Sequence, residues 1–170
     1  MTLGPDDSRG SALRDNYDRN INYLRVSVTD RCNMRCVYCI PEGAEFIPHE
    51  EILTYDEIER IVKIGAGAGI RKVRLTGGEP LARKNVERLV AQLSRIDSLE
   101  DLSLTTNGLL LAEQAEALAA AGLKRVNVSL DTLDPAKFSE ICRRGDIGAI
   151  IDGIRAAGAA GLRPVKVNAV

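Results

Sequence analysis

Three of the four cysteines fall in one short window, Cys32-Asn-Met-Arg-Cys36-Val-Tyr-Cys39, a C-x3-C-x2-C spacing. In a reducing compartment such a group reads as metal binding rather than as a disulfide framework. Three thiolates on so short a loop can wrap one face of an iron–sulfur cubane and leave one iron without a protein ligand. Structural zinc is the competing reading, and it needs a fourth ligand from elsewhere in the chain. Two residues could supply it. Cys142 stands alone after the fourth expected strand, where a single cysteine is more often a small packing residue. His49 lies in the loop Ile47-Pro-His-Glu50, where a histidine is more often simply solvated.

A second unusual segment is Gly77-Gly-Glu-Pro80. Taken alone it is a strand-to-helix turn, with glycine supplying unusual dihedrals and proline opening a helix. A third feature is dispersed: Arg25, Arg74 and Lys166 fall on three different expected strands. Cations converging from several strands suit an anionic ligand and are costly without one. The alternative for each is a solvent-facing position or a salt bridge, the commoner fate of Arg and Lys.

The elements that must position these residues alternate along the chain. Tyr23–Thr29 alternates apolar and polar residues as a strand does, and the cysteine segment follows it as a loop. Thr54-Tyr-Asp-Glu57 has capping-box spacing, and Ile58, Ile61, Val62 and Ile64 continue it as an apolar helical stripe ending at the glycines near Gly69. Strands are then expected at Lys72–Thr76, Leu102–Thr106 and Arg125–Ser129. They are followed by helices over roughly Asn85–Arg95, Leu110–Ala121 and Gly148–Ala160, and a last strand spans Val165–Val170. Such βα repetition predicts an α/β fold with a parallel sheet, either open and doubly wound or part of a (βα) barrel. Thr29-Asp-Arg-Cys32, Thr76-Gly-Gly-Glu-Pro80, Thr105-Thr-Asn-Gly108 and Ser129-Leu-Asp131 all fall at strand C-terminal ends, the rim where ligands bind in both architectures.

Composition narrows the function classes. The 170 residues are 45% hydrophobic and 28% charged, enough apolar material for one globular core. Lys and Arg number 23 against 24 Asp and Glu, a net charge of −1, so no global field recommends nucleic acid or an anionic membrane as partner. No apolar run is long enough to span a bilayer and the first residues lack the apolar core of a secretory signal, so a cytoplasmic location is expected. Residues 1–20 are polar and without period, and read as an N-terminal arm preceding a core that runs over 21–170.

The cysteine triplet with Tyr38 before its last member, followed by Gly77-Gly-Glu-Pro80, resembles the radical S-adenosylmethionine (SAM) signature. The flanking stretches Ile21-Asn-Tyr-Leu-Arg25, Val73–Pro80, Thr105–Gly108, Val126–Asp131 and Pro164–Asn168 are similar to the GTP 3′,8-cyclases of molybdenum cofactor biosynthesis. The resemblance runs from about Asp15 to Val170 and implies parallel (βα) repeats forming the first part of an incomplete (βα)6 barrel, truncated before its later strands. It implies that Cys32, Cys36 and Cys39 ligate a [4Fe–4S] cluster. It likewise implies that Tyr38, Gly77, Gly78, Glu79 and Ser129 contact SAM, and that Arg25, Arg74, Thr105 and Lys166 contact GTP. The Gly-Gly backbone would then approach the methionyl part of SAM with no Cβ in the way.

In that family a 5′-deoxyadenosyl radical from reductive SAM cleavage converts GTP to 3′,8-cyclo-7,8-dihydro-GTP, and no side chain acts as catalytic base at the abstraction step. An electron donor such as flavodoxin, cyclic pyranopterin monophosphate synthase as the next enzyme, and a homodimer are implied as well. Full members carry a second cysteine triplet for another [4Fe–4S] cluster that binds the guanine. No cysteine follows Cys142, so the chain is expected to be the N-terminal half. The other readings are a radical SAM enzyme acting on a different substrate, and an inactive piece that binds the first cluster and SAM alone.

Overall fold

A computed structural model describes residues 13–41 and 43–169. Five strands, β1 (Tyr23–Ser27), β2 (Lys72–Thr76), β3 (Asp101–Thr106), β4 (Arg125–Ser129) and β5 (Val165–Asn168), form one parallel sheet in the order β1-β2-β3-β4-β5. The connections carry α1 (Tyr55–Gly67), α2 (Val86–Ser94), α3 (Leu111–Ala120), and then α4 (Pro135–Cys142) and α5 (Ile147–Ala159) together before β5. Residues 1–12 of the expected arm and Val170 of the expected last strand lie outside the described residues. Over residues 13–20 the chain reverses on itself through an Arg14–Asn20 bridge, and Leu13 N–H donates to Ala68 O at 3.2 Å.

The sheet order decides what periodicity left open. In a doubly wound sheet the order reverses at a switch point, whereas here each strand is laid beside its predecessor in one direction, as in a barrel wall. The sheet is not closed, which agrees with an incomplete barrel.

Local sequence accounts for most of the elements. Thr54 and Glu57 make the reciprocal capping box that starts α1, and Ile58, Val62 and Ala66 on one stripe of that helix are buried. Each fully buried Ile or Val of this kind contributes about 1.5–3 kcal/mol by leaving water. Helix α4 is the element that the sequence pattern did not disclose. It is eight residues long, with Asp134 as N-cap and Pro135 in its first turn, and it buries Phe138 and Cys142. Among the described residues no helix is long and apolar enough to cross a membrane.

Strand alternation divides the sheet chemically. Val73, Leu75, Leu102, Leu104, Val126 and Val128 are buried in the core that the helices complete. The intervening residues face the other way, and pairing puts Arg25, Arg74, Ser103 and Arg125 in one row and Thr105, Asn127 and Lys166 in another. Residues two apart on a strand share a face, so both rows lie on the side away from the core. An all-parallel sheet is normally apolar on both faces. A polar second face is what a barrel interior that receives a polar ligand requires.

Candidate functional site

The site is assembled at the C-terminal ends of the strands. After β1 the backbone stays paired to β2 for a few residues: Val28 N–H donates to Thr76 O at 2.8 Å, Gly78 N–H to Thr29 O at 2.7 Å and Glu79 N–H to Arg31 O at 2.8 Å. The Gly-Gly turn therefore grips the root of the cysteine loop. Gly77 has φ +146°, and a Cβ there would stand 2.3 Å from Thr29 O; a Cβ on Gly78 would stand 2.4 Å from Arg31 O and 2.5 Å from Asp30 O. Such separations are far inside van der Waals contact, so glycine is needed at both positions because the chain passes against itself.

The far side of the loop rests on α4. Val37 N–H donates to Ile141 O at 2.9 Å and Arg35 N–H to Cys142 O at 3.2 Å, so the loop satisfies carbonyls that a helix C-terminus leaves unpaired. Cys32 and Cys36 are half-buried and Cys39 is exposed, all with free thiols. Cys142 is buried and its thiol lies against that of Cys36, a neighbour that no local pattern disclosed. Burial first, and the Cys36 thiol second, push the Cys142 thiol up to about 12, so it is protonated and packs as a small apolar group. His49 lines a cavity of about 490 Å³ with Thr29, Arg31, Ile52, Tyr55, Ala82, Arg83 and Lys84, and none of the cysteines borders it. His49 thus stands apart from the three thiols, whereas Cys142 adjoins Cys36 as a buried packing residue.

Among the described residues no three His, Cys, Asp or Glu side chains converge as ligands of a single ion. Three thiols on one loop are the kind of donor set that an iron–sulfur cluster takes from a protein.

Two polar links tie this loop to neighbouring strand ends. Tyr38 donates its hydroxyl to Asp131 Oδ2 at 2.6 Å, joining the loop to the segment after β4. That hydrogen bond holds the Tyr38 hydroxyl well above the usual tyrosine range. Glu79 is 1% exposed, and its carboxylate accepts from Leu81 N–H (3.0 Å), Thr106 Oγ1 (2.7 Å) and Asn107 N–H (2.7 Å). Burial raises its pKa while those three donors oppose the rise. With both oxygens engaged by protein groups, Glu79 acts here as a tie between the β2 and β3 loops. The sequence reading quoted Asn107 only within a motif and assigned it no role; its place between Glu79 and the cysteine loop depends on contacts 28 and more residues apart.

The residues assigned to GTP share the polar face. Arg74 donates through Nε to Ser103 Oγ at 3.3 Å and sits 5.5 Å from the Tyr23 ring centroid. Arg125, which the sequence reading passed over, is held by Asp101 in a two-point contact of 2.9 and 2.6 Å. That ion pair lowers the Asp101 pKa. Arg25 and Lys166 have no ion-pair partner among the described residues. Ser129 ends β4 beside Asn168 of β5, and Thr105 lies across from Asn127. In the two paired rows Arg25, Arg74 and Lys166 carry positive charge, and the carboxylate of Asp101 is already committed to Arg125.

These features have counterparts among known proteins. The family model of the radical SAM superfamily matches residues 26–170, and the chain belongs to that superfamily. Its relatives include a GTP 3′,8-cyclase of Pelotomaculum thermopropionicum, 56% identical over 159 residues, which are 93% of this chain and 49% of the relative. Another, from Thermodesulfovibrio yellowstonii, is 54% identical over 160 residues, 93% of this chain and 50% of that one. The chain thus spans about half the length of the curated relatives it matches. Its fold is like that of Streptococcus suis SuiB bound to S-adenosylmethionine (TM-score 0.73, 21% identity, 87% of this chain and 33% of that one). It is also like that of methylornithine synthase (TM-score 0.69, 20% identity, 86% and 44%).

Proposed function

We propose that the chain is the cluster- and SAM-binding half of a GTP 3′,8-cyclase, acting in the first step of molybdenum cofactor biosynthesis. The observation that carries this reading is the cysteine loop, clamped between the Gly77-Gly78 turn and the end of α4, at the mouth of a sheet whose polar face bears Arg25, Arg74 and Lys166. Identity above 50% to GTP 3′,8-cyclases over nearly the whole chain supports the substrate.

Cys32, Cys36 and Cys39 would hold the [4Fe–4S] cluster, with SAM beside Tyr38, the Gly77-Gly-Glu79 turn and Ser129. The cluster, when bound and reduced, would supply the one-electron chemistry for reductive cleavage of SAM, the source of the radical that would act at the 3′ position of GTP. The protein's part is positioning. Arg25, Arg74 and Lys166 draw the triphosphate onto the polar face, Thr105 adds a hydroxyl on the same face, and Glu79 and α4 keep the cluster loop in place. A soluble donor such as flavodoxin is the reductant, cyclic pyranopterin monophosphate synthase consumes the product, and the working unit is a cytoplasmic homodimer.

Anaerobic reconstitution with iron and sulfide, then iron quantitation and a SAM-cleavage assay with and without GTP, tests the reading. About four irons per chain and formation of 5′-deoxyadenosine are expected. These 170 residues carry one cysteine triplet and hold GTP by its phosphates, so little cyclised nucleotide should form. A misplacement of about 1 Å at the reacting carbon already costs on the order of a hundredfold in rate. A chain that binds no iron, or one that never cleaves SAM, sinks the proposal.

Removing one phosphate-facing cation should be felt equally by any nucleoside triphosphate. Arg74→Ala is expected to weaken GTP and ATP binding alike by about tenfold, the range of a lost hydrogen bond to a charged group. The loss should shrink as salt is raised. Titration calorimetry at two ionic strengths measures both effects, and an unchanged affinity would remove Arg74 from the substrate face.

A further inference from the structure

Asn107 follows β3 directly, and its side chain is held on every side. Its Oδ1 accepts from Leu109 N–H at 3.1 Å, which fixes the amide orientation and turns Nδ2 toward the cysteine loop. There Nδ2 donates to Asn33 Oδ1 at 2.7 Å and lies 3.8 Å from Cys32 Sγ. The Asn107 backbone N–H is anchored on Glu79. Cys32 Sγ also accepts from Met34 N–H, at 3.4 Å. Among the described residues neither Cys36 nor Cys39 has a side-chain amide directed at its sulfur, so the three thiols are not equivalent.

An N–H dipole aimed at a cluster thiolate favours the more negative, reduced state, and such hydrogen bonds are one of the levers by which a protein sets cluster potential. We propose that Asn107 is a positioning residue that raises the reduction potential of the cluster through an N–H···S hydrogen bond to Cys32. Glu79 keeps Asn107 in place by anchoring its backbone. The buried carboxylate of the Gly-Gly-Glu-Pro turn thereby acts on the cluster without touching it. This inference rests on the reading of Cys32, Cys36 and Cys39 as ligands.

The test compares wild type, Asn107→Ser and Asn107→Asp after iron–sulfide reconstitution, by redox titration followed through the EPR signal of the reduced cluster, without SAM. Serine and aspartate both retain an oxygen for Leu109 N–H while removing the amide that faces sulfur. Iron content should match wild type in both variants. In Asn107→Ser the reduction equilibrium should become about tenfold less favourable, which is about 59 mV toward more negative potential for one electron. Asn107→Asp should move further the same way, because it turns a carboxylate oxygen toward Cys32. An unshifted midpoint in loaded Asn107→Ser, or a raised one in Asn107→Asp, overturns the inference. Failure of both variants to load iron also overturns it, since the role would then be to shape the loop. A wild-type chain that takes up no iron defeats the ligand reading itself, a separate result.

Discussion

Cys36→Ala is expected to reduce the iron content of the reconstituted protein to background, and Cys32→Ala and Cys39→Ala to do the same. Each cysteine is the sole protein ligand of one iron in the proposed arrangement. His49 lies in a separate cavity that no cysteine borders, and Cys142 is buried with its thiol protonated. The informative control is Cys142→Ala. Its thiol touches Cys36, so it is the residue best placed to substitute as a ligand. As a packing residue its loss costs about 1 kcal/mol of stability and leaves the iron content whole. Iron and sulfide quantitation beside a thermal melt separates the two outcomes. Full iron in Cys36→Ala, or none in Cys142→Ala, would mean that the ligand set has been misassigned.

The second large effect is expected at Gly78, where a single methyl group should disturb two functions together. In Gly78→Ala the new Cβ meets the Arg31 and Asp30 carbonyl oxygens, and backbone cannot yield as a flexible side chain does. The turn and the root of the cysteine loop must separate, breaking the hydrogen bonds from Gly78 to Thr29 and from Glu79 to Arg31. Overpacking of this kind costs about 1–3 kcal/mol. Iron loading and SAM affinity should therefore fall together. Gly67→Ala, where an added Cβ meets nothing within 4 Å, should leave both intact. Full iron with weakened SAM binding in Gly78→Ala would show instead that the missing Cβ makes room for SAM alone.

The contrast between these two sites shows how far the chain could be read without its fold. The cysteine triplet was legible because its ligands are neighbours in sequence, and spacing alone places them on one loop. At Gly78 the residue type was legible, and with it the expectation that bare backbone approaches SAM, but the close packing of that position against residues 30 and 31 was not. Nothing local reports which strand a turn will lie against.

The βα rhythm was legible for the same kind of reason as the triplet. Alternation in strands and the α1 capping box express backbone geometry over a few residues, and these elements formed where expected. Helix α4 escaped because eight residues make barely two turns, too short for periodicity to separate from a loop, although Asp134-Pro135 was a usable start signal. The consequence was that Cys142 read as isolated.

What the sequence determined by itself is the set of groups that could do chemistry and the local elements carrying them: three thiols on one loop, a Gly-Gly turn, cations on alternating strand positions. Tertiary structure alone decided that the strands lie in sequential order, that Arg25, Arg74 and Lys166 share a face, that Glu79 ties the β2 and β3 loops, and that Asn107 reaches Cys32. The division has one physical cause. Helix and strand periods and ligand spacing are properties of a few consecutive residues. Strand order, burial of a carboxylate and an amide aimed at a distant sulfur exist only once segments tens of residues apart are packed together.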